Sequence, residues 1–161
     1  MLKLTIFSTI CLILQSICGI TALSGAAIAS EADRHIGSTS WSYASWTLLT
    51  GSNSDKCNIF VADVLDYAGG SVPRRKLWGL IGPIGAGEWG NPSSSYLSSD
   101  SCWSNTNDPR IGDVMGDGVH VAIITGSGIT TSATAEKVVK NDWGYRSYQA
   151  STQFAYWRYV C

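Results

Sequence analysis

The stretch Asp55-Lys56-Cys57-Asn58-Ile59-Phe60-Val61-Ala62-Asp63-Val64-Leu65-Asp66-Tyr67-Ala68-Gly69-Gly70 decides how the rest of the chain is read. Cys57, Phe60, Val61, Val64, Leu65 and Ala68 recur at helical spacing, which predicts an amphipathic helix with one buried stripe. Asp55, or Ser54 before it, is the expected N-cap, and Gly69-Gly70 supplies the stop. Cys57 then falls in the first turn, where unpaired backbone N–H groups and the positive end of the helix dipole favour a thiolate. A lone helical cysteine is more often a core filler than a nucleophile. The rest of the chain has to decide between the two.

Towards the N-terminus, Lys3 precedes a nearly continuous apolar run over residues 4–20, followed by the small residues Gly19, Ala22, Ser24 and Ala26. This is the pattern of a secretory signal, with cleavage expected between 19 and 24. An apolar run of about 17 residues is short for a bilayer span, and no basic stop-transfer cluster follows it. The expected organisation is therefore a signal over residues 1–24 and one secreted domain over 25–161, with no membrane anchor. Loss of the signal removes Cys11 and Cys18 and leaves Cys57, Cys102 and Cys161. An odd count in a secreted chain suggests one disulfide and one free, reactive thiol. Cys161 ends the chain and Cys102 lies in a Ser-rich loop, so Cys102–Cys161 is the natural pair. It would close a loop of about 60 residues, stabilising by a few kcal/mol in the chain-entropy model. Cys57 remains unpaired.

The 161 residues are 45% hydrophobic and only 14% charged, with 17 Gly and 7 Trp, which favours short strands and tight loops over a helical bundle. A net charge of −1 gives no basic footprint for nucleic acid. Residues 26–36 predict a first helix ended by Gly37, and the stretch holding Trp41, Tyr43 and Trp46 reads as a loop. Residues 71–101 carry three of the four prolines and read as a long irregular excursion. Strands are expected from Pro109-Arg110-Ile111-Gly112-Asp113-Val114 onward, clearest in His120-Val121-Ala122-Ile123-Ile124-Thr125-Gly126, which is apolar on both faces. Further strands are expected over 129–133, 136–141 and 152–160. Helices first and a mostly antiparallel sheet afterwards define an α+β fold.

Of two histidines, His35 reads as a surface residue of the first helix, while His120 opens the central strand just after Gly118. A free thiol and a distant histidine joined in space make a nucleophile–base pair. A third polar group should orient the imidazole, and Asp142 is the choice, with Asn141 as the alternative. Trp41, Trp78 and Trp89 are candidates to line a substrate groove. Gly85-Ala86-Gly87-Glu88-Trp89-Gly90 has dinucleotide-motif spacing, but Pro83 and Pro92 flank it and no strand–helix unit surrounds it. No metal-ligand pattern and no glycosylation sequon is present, so neither a metal nor an N-glycan is expected, and nucleophile–base chemistry requires no cofactor.

Lys56-Cys57-Asn58-Ile59-Phe60-Val61, then Ala68-Gly69 and Val72-Pro73, then Gly112-Asp113-Val114 and His120-Val121-Ala122-Ile123 together resemble the NlpC/P60-type cysteine peptidases. Within that superfamily the chain looks like the type VI secretion amidase effectors. Val139, with Asp142-Trp143-Gly144 after it, leans towards the second effector family and its domesticated relatives secreted by ticks and mites. The likeness covers residues 28–160, with the usual Cys-Ser-Gly-Phe replaced by Cys57-Asn58-Ile59-Phe60. It implies a papain-like core, Cys57 as nucleophile and His120 as base. Tyr43 is placed like the tyrosine that assists the oxyanion site, with Trp41 beside it. The function implied is a secreted antibacterial amidase acting on bacterial peptidoglycan through a thioacyl-enzyme, and a monomer is expected, although the sequence does not fix the oligomeric state. The D-Ala–meso-diaminopimelate cross-link is the favoured bond and D-Glu–meso-diaminopimelate the second. A Trp-rich wall-binding module without catalysis, or a structural protein paired between chains through Cys57, are the alternatives from other classes.

Overall fold

The structure is a computed structural model that describes residues 22–77 and 79–161. The expected signal lies outside the described residues except for its last three, and Trp78 lies outside them too. The described chain is mixed helix and sheet, and both sheets are antiparallel.

Helix α1 spans Gly25–Arg34, and Ser24 caps it by accepting the Ala27 N–H at 3.2 Å. Ile28, Ala29 and Ala32 form its buried face. Helix α2 spans Cys57–Ala68 and ends at Gly69, whose φ of 92° is the left-handed conformation expected of a glycine stop. The expected cap is corrected at the other end. Lys56 holds the N-cap position and offers no capping side chain, while Asp55 and Ser54 stay in the preceding loop. Phe60, Val61, Val64 and Leu65 are fully buried, each stabilising by about 2 kcal/mol against leaving it exposed.

Residues 71–101, expected to be irregular, contain an antiparallel hairpin, β1 (Arg74–Leu77) with β2 (Leu80–Pro83), and two helical turns, α3 (Ala86–Trp89) and α4 (Ser95–Ser98). Pro83 sits at the end of an isolated hairpin, where its missing N–H breaks no inner ladder. The Gly-rich stretch here packs closely against the main sheet. A Cβ on Gly90 would lie 1.9 Å from the backbone nitrogen of Gly118. Gly90 is therefore a position where only a residue without a Cβ fits.

The main sheet contains β3 (Trp103–Asn105), β4 (Val114–Gly116), β5 (Val121–Gly126), β6 (Ile129–Ala133), β7 (Val138–Asn141) and β8 (Ala155–Tyr159), in the order β3-β8-β4-β5-β6-β7. Helices α1 and α2 lie against β5 and β6. Between them Ile28, Phe60, Val64, Val114, Val121, Ile123, Ala133 and Trp157 make one continuous core. Asp33 fastens α1 to the sheet by accepting from Thr131 Oγ1 at 2.7 Å and Lys140 Nζ at 2.6 Å.

The strand expected from Pro109 begins only at Val114. Gly112 has φ 92°, and a Cβ there would meet Gly25 Cα at 2.2 Å, so this segment is a tight turn under α1. Asp113, buried, accepts from Arg158 Nε and Nη2 and from the Arg110 N–H. The expected Cys102–Cys161 disulfide is formed and joins the start of β3 to the chain end after β8. Cys57 is the one free cysteine among the described residues. No described helix is long and apolar enough to cross a membrane.

Candidate active site

The fold brings the two halves of the expected pair to one cleft of about 380 Å³. Asp55, Lys56 and Cys57 come from the start of α2, Val119 and His120 from the approach to β5, and residues 132–135 from the end of β6. Asn141, Trp143 and Arg146 close the remaining side. This volume lies in the range of small-ligand sites.

Cys57 is buried at 4% exposure. Burial pushes its thiol above the usual range and the Asp55 carboxylate adds to this, against backbone N–H groups of Val121, Asn58 and Cys57 itself that favour the thiolate. The helix-start position does what the sequence suggested, but desolvation wins. The resting group is a neutral thiol.

His120 is held by its backbone. Asp117 Oδ1 accepts the N–H groups of Val119 and His120 at 2.9 and 2.7 Å, and Gly118 between them has φ 92°. The imidazole Nε2 lies 3.0 Å from Ser132 Oγ, and the ring meets Trp143 edge-on at 4.6 Å between centroids. Burial lowers its pKa, only partly opposed by the charges of Asp117 and Asp55, so the ring is neutral at neutral pH. With Nε2 engaged by Ser132, Nδ1 is the nitrogen left to take a proton from a thiol.

Four expected site residues, Asp142, Trp41, Trp89 and Tyr43, are placed elsewhere. The Asp142 carboxylate faces solvent and accepts from Arg146 Nε at 2.8 Å, which holds its pKa low, and it makes no bond to His120. Asn141 lines the cleft, yet its Oδ1 accepts the Trp143 N–H at 3.0 Å. Trp41 is a core residue, packed edge-on against Phe60 and His35, with its Nε1 donating to Asp63 Oδ2 at 2.7 Å. Trp89 is wholly buried and lines no groove. Tyr43 is 43% exposed and is not among the residues lining the cleft. Its backbone, tied to Ala135 O and Lys56 Nζ, is what it contributes nearby.

Sequence reasoning missed four residues: Ser132, Trp143, Arg146 and Lys56. Lys56 is only 2% exposed, and its ammonium donates to Ser42 O, Tyr43 O and Ser54 O at 3.2, 3.3 and 2.9 Å. No group of three or more His, Cys, Asp or Glu side chains suited to a metal occurs among the described residues. Compared with known proteins, the chain matches no family model, no curated protein and no solved structure.

Proposed function

We propose that this protein is a secreted cysteine amidase with an NlpC/P60-type, papain-like core that cuts bacterial peptidoglycan. The observation carrying the proposal is the joint presence of an unpaired Cys57 at a helix start and a Ser132-bonded His120 in one cleft. The Cys102–Cys161 bridge supports an oxidising, extracellular setting.

In this reading Cys57 Sγ attacks the scissile carbonyl carbon as Nδ1 of His120 takes the thiol proton. Backbone N–H groups at the start of α2 stabilise the oxyanion. Collapse breaks the C–N bond, and the imidazolium gives its proton to the departing amine. Water then attacks the thioester, its proton passing to His120, and the acid leaves with Cys57 restored. Ser132 accepts from Nε2–H and keeps the base in the required tautomer. Ser132→Ala is therefore expected to lower kcat/KM about tenfold, the size of one good hydrogen bond, while leaving the thermal midpoint within a few degrees. Steady-state rates and a melting curve on the same preparation test it.

The favoured bond is the D-Ala–meso-diaminopimelate cross-link, whose loss under turgor lyses the cell and suits an antibacterial role. Digestion of purified sacculi, with products resolved by chromatography and mass, tests the whole reading. Cross-linked dimers should disappear and monomers with a freed diaminopimelate amine accumulate. Shortened stems would instead assign the D-Glu–meso-diaminopimelate bond. Intact dimers with the chain bound to the sacculi would replace the enzyme by a wall-binding module.

A further inference from the structure

We propose that Arg146 is a carboxylate-binding residue of the Cys57–His120 cleft, so that the preferred substrate carries a free carboxylate near the bond to be cut. This deepens the amidase reading and rests on it. Two cations line the cleft, Lys56 and Arg146. The Lys56 ammonium is buried and turned away onto Ser42, Tyr43 and Ser54. Arg146 is different. Its Nε donates to Asp142 Oδ1 at 2.8 Å and its Nη1 to Tyr148 Oη at 2.9 Å, while Nη2 has no hydrogen-bond partner among the described residues. Two partners fix the plane of the guanidinium and leave one nitrogen of the fork for a ligand, and a planar fork suits a carboxylate. The side chain is 31% exposed, open enough for a ligand to reach and partly shielded from solvent.

The Asp142 carboxylate thus has a use, although not the expected one beside His120. It positions Arg146. The cleft also contains Asp55, which disfavours an anion on the Cys57 side and leaves the Arg146 side as the place for it. In the favoured cross-link, the carbon bearing the departing amine of diaminopimelate also bears a carboxylate, so the anion would sit on the leaving-group side. Amidation of that carboxylate should protect the bond.

Thiol alkylation tests this without peptidoglycan. Iodoacetyl-glycine and iodoacetyl-glycinamide differ only in the charge of a carboxylate a few bonds from the attacked carbon. Rates at Cys57 are read by peptide mass spectrometry on the folded chain. The ratio of acid to amide rates is expected to fall about fivefold in Arg146→Gln, the size of one half-exposed ion pair, and taking the ratio cancels any change in thiol ionisation, which both reagents share. Arg146→Lys should keep part of the ratio and 1 M salt should reduce it. Asp142→Asn should not lower it, since the amide oxygen can still accept from Nε and position the guanidinium while the neutralising charge is gone. An Arg146→Gln ratio equal to wild type overturns the inference, even if sacculi are digested. A normal Arg146 dependence with undigested sacculi leaves the inference standing and removes the amidase reading. A thiol inert to both reagents overturns both.

Discussion

Replacing His120 by alanine is expected to slow amide cleavage about 10³- to 10⁴-fold, with Cys57→Ala removing it. The large figure follows from the protonation states. Burial holds the Cys57 thiol above its ordinary 9.0 and the His120 imidazole below its ordinary 6.5, so neither is ionised at neutral pH. No thiolate waits in the resting site. In the proposed reaction His120 must then remove the proton as attack occurs, and a variant without it would have almost no nucleophile. The reactive form, neutral thiol with neutral imidazole, exists between the two pKa values. The wild-type rate should rise as pH climbs through a value below 6.5, stay level, and change again only above 9.0. In His120→Ala the acid limb should vanish, and the residual rate should climb about tenfold per pH unit towards the thiol pKa. Stopped-time assays on muropeptides from pH 4 to 10 decide it. A wild-type rate already level at pH 4 would mean a preformed thiolate–imidazolium pair and would refute this account.

The helix that carries Cys57 was legible because its stripe and its glycine stop are local features, and Gly69 behaves as read. The cysteine arithmetic was legible for the same reason: three thiols and a chain end leave few pairings, and the bridge forms as expected. The N-cap was misplaced because Lys56 is drawn inward by three loop carbonyls, a tertiary pull that capping preference cannot see. Its place just after a strand is what makes Asp142 look like a partner for His120 in the sequence. A carboxylate in a turn, with an arginine four residues on, instead pairs locally in solvent. Ser132 had a usable signal that went unread. The turn Gly126-Ser127-Gly128 pairs β5 with β6, with Ile123 opposite Thr131 and Ile124 opposite Thr130. Continuing that register puts Ser132 beside Ala122, on the same face as His120 two residues earlier. The strand register therefore marks Ser132, ahead of any residue after β7, as the neighbour of His120. The hairpin in residues 74–83 carries no such signal, since its strands are only four residues long and proline bounds it at either end.

Lys56→Met is expected to destabilise the chain by about 3 kcal/mol, near 10 °C in thermal midpoint for a domain of this size. Exchanging a buried ion for an apolar side chain is often harmless when both partners are replaced, because the desolvation penalty of the charge disappears with its attraction. Here the partners are main-chain carbonyls of Ser42, Tyr43 and Ser54, and they cannot be replaced. Methionine fills the stem's volume but leaves those oxygens short of a donor that bore a full charge. The damage should stay local. Tyr43 O still accepts the Ser54 N–H, and Lys56 O still accepts the Phe60 N–H that opens α2. The loop over residues 42–54 should therefore loosen while the sheet keeps its protection, which amide hydrogen exchange resolves segment by segment. Lys140→Met makes the matched comparison, because the Lys140–Asp33 pair is over a third exposed on the lysine side and should lose no more than about 1 kcal/mol. Equal melting points for the two variants, with unchanged exchange over 42–54, would show that the buried ammonium does not hold the loop. A selective loss at Lys56 would mean that the residue before Cys57 fastens the loop beside the cleft to the first turn of α2. Cleavage should then fall further than the loss of folded protein explains, because Cys57 and its backbone N–H groups share that turn.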